Sequence, residues 1–382
     1  MNYRSWSTIF LTALIGTSSQ LFQSTTAFSP IPNSNPSCGF TKSYNTRTST
    51  SSSKSTTLFA IGVLARKAKE MEIKKYMESE DLEPEVLAKY ELVQASVDSS
   101  ITPTTSEFQK TLTKRKGTIT VIAEYKRRLD KGGFIDEVYD PEILSPTFRE
   151  FGASAIAIMT DERMGGCTYD DMKKVHKEQS IAVGDMPGPV SLVSSDLIVH
   201  PIQVARSANA GASAVVLNYA LLGGKDGERF IPLLQACQKL ELDAIVSVDT
   251  KEEAQGAVDA GATIIMTTVS SSIDGLSPKE RFAMIEDLSS SNYDTPICKI
   301  ANIISRDDKA LQEVEDAWIC RDSGFQAVWA SDFLYKSGND ALEHPGAIIS
   351  SIKAKSSVKW ASPKARGGKG EGAREYLGDI LM

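Results

Sequence analysis

The stretch TVIAEYKRRLDKGG, residues 120–133, joins a buried-strand pattern to two opposite charges. Glu124 and Lys126 are two positions apart, so a strand would direct both side chains to the same face. A carboxylate and an ammonium at the end of one strand suit proton transfer and the binding of a charged ligand. The alternative is a structural ion pair that orders the loop after the strand.

Other chemistry-bearing residue types are sparse in this chain. The three histidines, His176, His200 and His344, are widely scattered, and the five cysteines have no paired short spacing. These patterns predict no metal centre and no disulfide framework, and they favour a reducing compartment. The segment GGKGEG at 367–372 lacks the Walker spacing and a preceding strand, so we interpret it as part of a flexible basic tail.

Eight short apolar runs, each bounded by polar or turn residues, are the predicted strands. They lie at 119–125, 154–159, 190–194, 213–218, 243–248, 262–268, 296–301 and 325–329. Segments with amphipathic spacing separate most of them. Alternation of strands and helices is typical of a parallel sheet.

Four of the joints, the short segments that connect a helix pattern to the next strand, share one sequence pattern. A helix pattern ends, a glycine follows, and a strand begins at once, at Gly152, Gly211, Gly261 and Gly324. Glycine at that point is what a left-handed helix C-cap requires. The recurrence indicates a single supersecondary unit used repeatedly.

Eight such units in about 240 residues predict a closed (β/α)8 TIM barrel at 117–355. The rival is an open doubly wound sheet, which usually carries a glycine-rich nucleotide loop after its first strand. KRRLDKGGF contains no such motif. Residues 61–116 contain two helix candidates and are predicted to form an N-terminal helical extension packed on the barrel, and 356–382 is the C-terminal tail.

The first sixty residues have the composition of a targeting segment. They contain four basic residues and no acidic one, and an apolar run at 9–16 is too short to span a bilayer. A Ser/Thr-rich stretch follows Phe28. We predict a signal peptide plus transit peptide at 1–60, resembling the bipartite presequences of algae with extra plastid membranes, and hence a location in the plastid stroma. The alternative is a low-complexity tail on a secreted protein.

The predicted mature body is acidic. The whole chain of 382 residues has a net charge of −7, which becomes −11 without the four basic residues of 1–60. This balance argues against nucleic acid or an anionic membrane as the main partner.

Four segments carry a family resemblance: SEFQKTLTKRKGTITVIAEYKRR, DPEILSPTFREFGASAIAIMTDERMGG, DLIVHPIQVARSANAGASAVVL and DAIVSVDTKEEAQGAVDAGATII. They resemble indole-3-glycerol-phosphate synthase, and the likeness runs from about residue 62 to 350. The resemblance implies a (β/α)8 lyase of tryptophan biosynthesis that uses neither cofactor nor metal. That enzyme closes the indole ring of 1-(2-carboxyphenylamino)-1-deoxyribulose 5-phosphate with loss of CO2 and water.

Carried over by position, the resemblance assigns catalytic places to Glu124 and Lys126 and substrate-binding places to Asn302 and Ser331. The general-acid lysine position is occupied by Ser195. The general-base glutamate position is occupied by Ser247, and the phosphate-contacting Ser-Pro-Ser after the first strand is replaced by 129–131, Leu-Asp-Lys.

These substitutions leave three hypotheses open. The chain is an active synthase that takes a small anionic phosphorylated substrate; or a pseudoenzyme or redirected barrel that takes another anionic substrate or none; or a binding and regulatory partner of another protein such as a genuine synthase.

Overall fold

A computed structural model describes residues 51–95, 105–129, 140–224, 227–269, 276–289, 294–306, 311–336 and 345–354. Three features of the sequence analysis lie outside these residues. They are positions 1–50 of the predicted presequence, Asp130 and Lys131 of the segment that replaces Ser-Pro-Ser, and the GGKGEG segment. Within them, no helix is both long and apolar enough to cross a membrane.

The eight predicted strands are all present and pair in parallel, each with the next, and the last pairs with the first. They are β1 Thr120–Tyr125, β2 Ala155–Met159, β3 Ser191–Ser195, β4 Ala214–Asn218, β5 Asp243–Val248, β6 Ile264–Val269, β7 Cys298–Ile303 and β8 Ala327–Ala330. The closed (β/α)8 barrel is therefore confirmed. The predicted bounds differ from these by up to two residues at each end.

Helices lie on the outside of the barrel and before it. Three precede β1: α1 Ser51–Met77, α2 Pro84–Ala95 and α3 Glu107–Leu112. The others are α4 Pro141–Glu150, α5 Tyr169–Ile181, α6 Pro201–Asn209, α7 Phe230–Lys239, α8 Lys251–Asp259, α9 Pro278–Ile285, α10 Leu311–Ser323 and α11 Pro345–Lys353. A one-turn 3-10 helix, Asp332–Tyr335, follows β8.

The four joint glycines have φ between 89° and 128°. This is the left-handed region that the predicted C-caps require. At the joint between α7 and β5 the same role falls to Glu241, with φ 58°. The sequence pattern missed this fifth joint because it was defined by glycine.

Alternate strand residues fill the inside of the barrel. Ile122, Val193, Ile245, Met266 and Trp329 belong to one buried cluster with other inward residues of the sheet. Because side chains alternate along a strand, the residue two positions further along each strand also faces inward, at the carboxyl end. In a barrel of this kind that end is the mouth in which active sites are built.

The N-terminal helices contact both ends of the barrel. Phe108 and Leu112 of α3 pack with the inward cluster, and the Thr120 hydroxyl donates to the Leu112 carbonyl at 3.0 Å. Helix α1 instead lies against the mouth, and Ile73 packs with Val86 of α2 and with α6. Helix α1 begins at Ser51, ten residues before the predicted start of the extension.

Candidate functional site

The six residues singled out from the sequence come together at the mouth. All of them lie at or just after the carboxyl end of a strand and are buried: Glu124, Lys126, Ser195, Ser247, Asn302 and Ser331. Each is an even number of positions from an inward residue of its own strand. The fold therefore directs all six toward the barrel axis.

Glu124 is held by β8 and by the segment that follows it. The Ser331 hydroxyl donates to Glu124 Oε2, and the Tyr335 hydroxyl donates to the Glu124 carbonyl at 2.7 Å. Lys126 Nζ lies 3.9 Å from Glu124 Oε2. Burial raises the pKa of the Glu124 carboxyl, and the Lys126 ammonium and the Ser331 hydroxyl only partly oppose this shift.

Lys126 pairs with an acid from the far end of the chain. Its ammonium, fully buried, forms an ion pair with Asp332 Oδ1 at the start of the 3-10 helix. Because the Asp332 carboxylate contacts the Lys126 ammonium, an anionic ligand of Lys126 would have to displace it.

No hydrogen bond activates the serine at the general-acid position. The Ser195 hydroxyl is buried and makes no hydrogen bond. Its neighbour Ser194 faces the helices, where its hydroxyl meets those of Thr160 and Ser207 at 3.1 and 2.9 Å. This contrast fixes Ser195 on the inward face. Ser247 lies opposite Asn218 in the pairing of β4 with β5.

A buried charge cluster that sequence reasoning missed adjoins Ser195. Lys69 Nζ of α1 lies 2.8 Å from Asp161 Oδ2, after β2, and 2.9 Å from Asp196 Oδ1, after β3. Burial alone would lower the pKa of Lys69, but the two carboxylates overcome it and raise that pKa above its ordinary value. Lys69 is thereby held as a cation.

Asp196 has further neutral partners. Gln203 Nε2 donates to Asp196 Oδ2 at 3.0 Å, and the Tyr169 hydroxyl reaches the same oxygen at 3.4 Å. One signal in the sequence could have revealed the cluster: Lys69 lies one turn before the apolar Ile73, on the face of α1 that meets the barrel.

A groove of about 500 Å³ runs beside this cluster, between α1 and the segment after β2. It is lined by Ala68, Met71, Glu72, Lys75, Asp161, Glu162 and Arg163. Across the part of the chain that the structure describes, no group of three or more His, Cys, Asp or Glu side chains is placed to hold a metal ion.

Comparison with known proteins places these features in a family. The family model for indole-3-glycerol phosphate synthase matches residues 65–267, just over half of the chain. The synthase of Leptospira interrogans is 34% identical over 148 residues, which is 39% of this chain and 54% of that protein. That of Opitutus terrae is 28% identical over 261 residues, 68% of this chain and 90% of that protein.

The alignments with the first relatives span about half of those proteins' length, as with the Roseiflexus synthase at 52%. Among solved structures, the 2-keto-3-deoxy-6-phosphogluconate aldolase of Zymomonas mobilis has a TM-score of 0.43 and 10% identity, covering 67% of this chain and 99% of that one. This likeness is too low to inform function. The matched residues 65–267 include Glu124, Lys126, Ser195 and Ser247, and on this match the chain belongs to the indole-3-glycerol phosphate synthase family.

Proposed function

We propose that this chain is a family member connected with tryptophan biosynthesis in which ring closure itself has been lost. The observation that carries the proposal is the pair of buried serines, Ser195 and Ser247, at the places of the general acid and the general base. On this proposal the barrel mouth still binds a small molecule but does not carry out the proton transfers of the synthase.

The expected loss of rate is large. A positioned general acid or base contributes about 100- to 10,000-fold, although such contributions are not additive. A serine hydroxyl needs a partner base to exchange its proton near neutral pH. The Ser195 hydroxyl makes no hydrogen bond at all.

The neighbouring lysines do not offer an evident replacement. Lys69 is held by two carboxylates with its pKa raised, which makes it a weak proton donor. Lys126 is paired with Asp332 and cannot serve an anionic substrate without exchanging that partner.

A second candidate is an active synthase. It is favoured by one observation: Glu124 and Lys126 are retained at the family's positions and both face the barrel mouth. On this reading the reaction proceeds slowly with the acid and base supplied by other groups.

Complementation separates the two candidates. Residues 51–382, which keep α1 whole, are expressed in a tryptophan auxotroph that lacks the synthase, and ring closure is measured with the purified protein. We expect no growth and no turnover. Growth at normal expression would contradict the loss of ring closure.

Restoration of the missing groups provides the positive test. The double variant Ser195→Lys/Ser247→Glu is expected to gain measurable turnover over the parent chain. The matched control is Ser195→Lys/Ser247→Gln, which has the same side-chain size without the carboxylate. Equal activity of the two double variants would show that the base position does not limit the reaction.

A further inference from the structure

The barrel mouth carries a ring of neutral polar side chains. Six successive strands, β3 to β8, each present one hydroxyl or amide at or just after the carboxyl end. They are Ser195, Asn218, Ser247, Thr268, Asn302 and Ser331, which we call the mouth ring. Each lies two positions beyond a residue of the inward cluster, as Thr268 follows Met266 and Asn302 follows Ile300.

Three atoms of the mouth ring lack any hydrogen-bond partner although their residues are more than nine-tenths buried. They are Ser195 Oγ, Thr268 Oγ1 and Asn302 Nδ2. Thr268 and Asn302 are direct neighbours in the pairing of β6 with β7. Buried polar atoms are nearly always satisfied in folded proteins, so unsatisfied atoms at the inward-facing mouth positions indicate a missing partner.

The charged groups at the mouth restrict the chemical class of that partner. Both lysines there are already paired with carboxylates, Lys69 with Asp161 and Asp196, and Lys126 with Asp332. Glu124 adds a fourth carboxyl group against the two ammonium groups. Even without Glu124, whose pKa burial raises, Asp161, Asp196 and Asp332 outnumber these two ammonium groups, so a phosphorylated ligand would meet repulsion beside them where water is excluded.

We propose that the mouth ring binds a small uncharged molecule with several hydroxyl groups, of the sugar or polyol class, in preference to its phosphate ester. Such a molecule both donates and accepts hydrogen bonds, which matches two hydroxyls and one amide donor without requiring a charge partner. This inference rests on the proposed loss of ring closure and defines the ligand class that the altered site takes.

The test measures binding to the full-length chain by saturation-transfer NMR and calorimetry. The probes are unphosphorylated pentoses, hexoses and their open-chain polyols, each compared with its phosphate ester. At least one parent compound is expected to bind more tightly than its ester. Tighter binding of the esters, or no binding by any parent compound, overturns the proposal.

Variants localise the binding to the mouth ring. Ser195→Ala and Thr268→Val each remove one hydroxyl and are expected to weaken binding of the parent compound about three- to tenfold, the equivalent of one neutral hydrogen bond. Ser180→Ala, which removes an exposed hydroxyl on α5, is the matched control. If both mouth variants bind as well as the control, the mouth ring is not the site. Thermal unfolding confirms that the variants are folded.

The two proposals fail in different ways. Ring closure by the unmodified chain would overturn the proposed function. Absence of ring closure together with preferential binding of the phosphate esters would overturn only the ligand class proposed here.

Discussion

Lys126, just after the first strand of the barrel, is ion-paired with Asp332, just after the last. The pair is possible because β8 closes the sheet against β1. An anionic ligand of Lys126 would therefore have to displace the Asp332 carboxylate. The Lys126 ammonium, which is fully buried at the mouth, is thus already paired before any small molecule binds.

Removal of the Asp332 charge tests this relationship. Asp332→Asn leaves the buried Lys126 ammonium beside the more distant Glu124 carboxyl, whose Oε2 lies 3.9 Å away. We expect a destabilisation toward the low end of the about 3–5 kcal/mol typical of a broken buried pair. Inorganic phosphate should then bind beside Lys126 and raise the melting temperature of the variant, which is measured by calorimetry.

The matched control for this change is Asp185→Asn, which removes an exposed carboxylate between α5 and β3. Phosphate should change the melting temperature of this control and of the unmodified chain very little. If phosphate stabilises all three proteins equally, Asp332 does not compete for the anion position.

The second prediction concerns the buried ion pairs of Lys69 with Asp161 and Asp196, which connect α1 to the mouth. Lys69→Met keeps the length of the side chain but leaves Asp161 and Asp196 buried without their cation. We expect the free energy of unfolding, measured by chemical denaturation, to fall by about 3–5 kcal/mol. Lys67→Met, at an exposed position of the same helix, should change it by less than about 0.5 kcal/mol.

A triple variant separates charge from packing in this cluster. Lys69→Met/Asp161→Asn/Asp196→Asn removes the cation and both carboxylates together, so it should recover part of the stability lost in Lys69→Met. A triple variant less stable than the single one would mean that the carboxylates stabilise the fold through other partners.

The third prediction is a pH dependence. Because burial raises the pKa of Glu124, the folded chain holds this proton to a higher pH than the unfolded chain does. The free energy of unfolding therefore falls as the pH rises from the unfolded to the folded pKa of this group. Glu124→Gln cannot titrate, so its stability should fall less over that window.

The measurement compares denaturation midpoints across a pH series for the unmodified chain, Glu124→Gln and the exposed control Glu107→Gln. The control should follow the unmodified chain. Parallel pH profiles for all three proteins would show that the Glu124 carboxyl titrates alike in the folded and unfolded states.

The fourth prediction concerns the predicted targeting segment at the N-terminus. Residues 1–60 fused to a fluorescent protein should direct it to the plastid stroma in an alga with extra plastid membranes. Phe28→Ala is the matched variant, and it should divert the fusion to an earlier compartment because the aromatic residue opens the predicted transit part. Fluorescence confined to the secretory pathway with the unmodified segment would contradict the plastid assignment.

Much of the site could be predicted from local sequence. Strand alternation put Glu124 and Lys126 on one face, and the family resemblance of the segments after β3 and along β5 located Ser195 and Ser247. The glycine joints predicted the repeating unit, because a left-handed C-cap depends on one residue and its immediate neighbours. Asn302 and Ser331 followed from the order of the strands.

The tertiary structure alone decided which charges meet. Lys69 reaches Asp161 across 92 residues of sequence, and Ser331 reaches Glu124 across 207. Nothing in the local sequence fixes such pairs, because a pair's burial and distance depend on how the barrel closes and where α1 docks. The sequence by itself determined the barrel and the inward places of its polar residues. Closure of the sheet paired Lys126 with Asp332, the docking of α1 paired Lys69 with Asp161 and Asp196, and three atoms of the mouth ring still lack a partner.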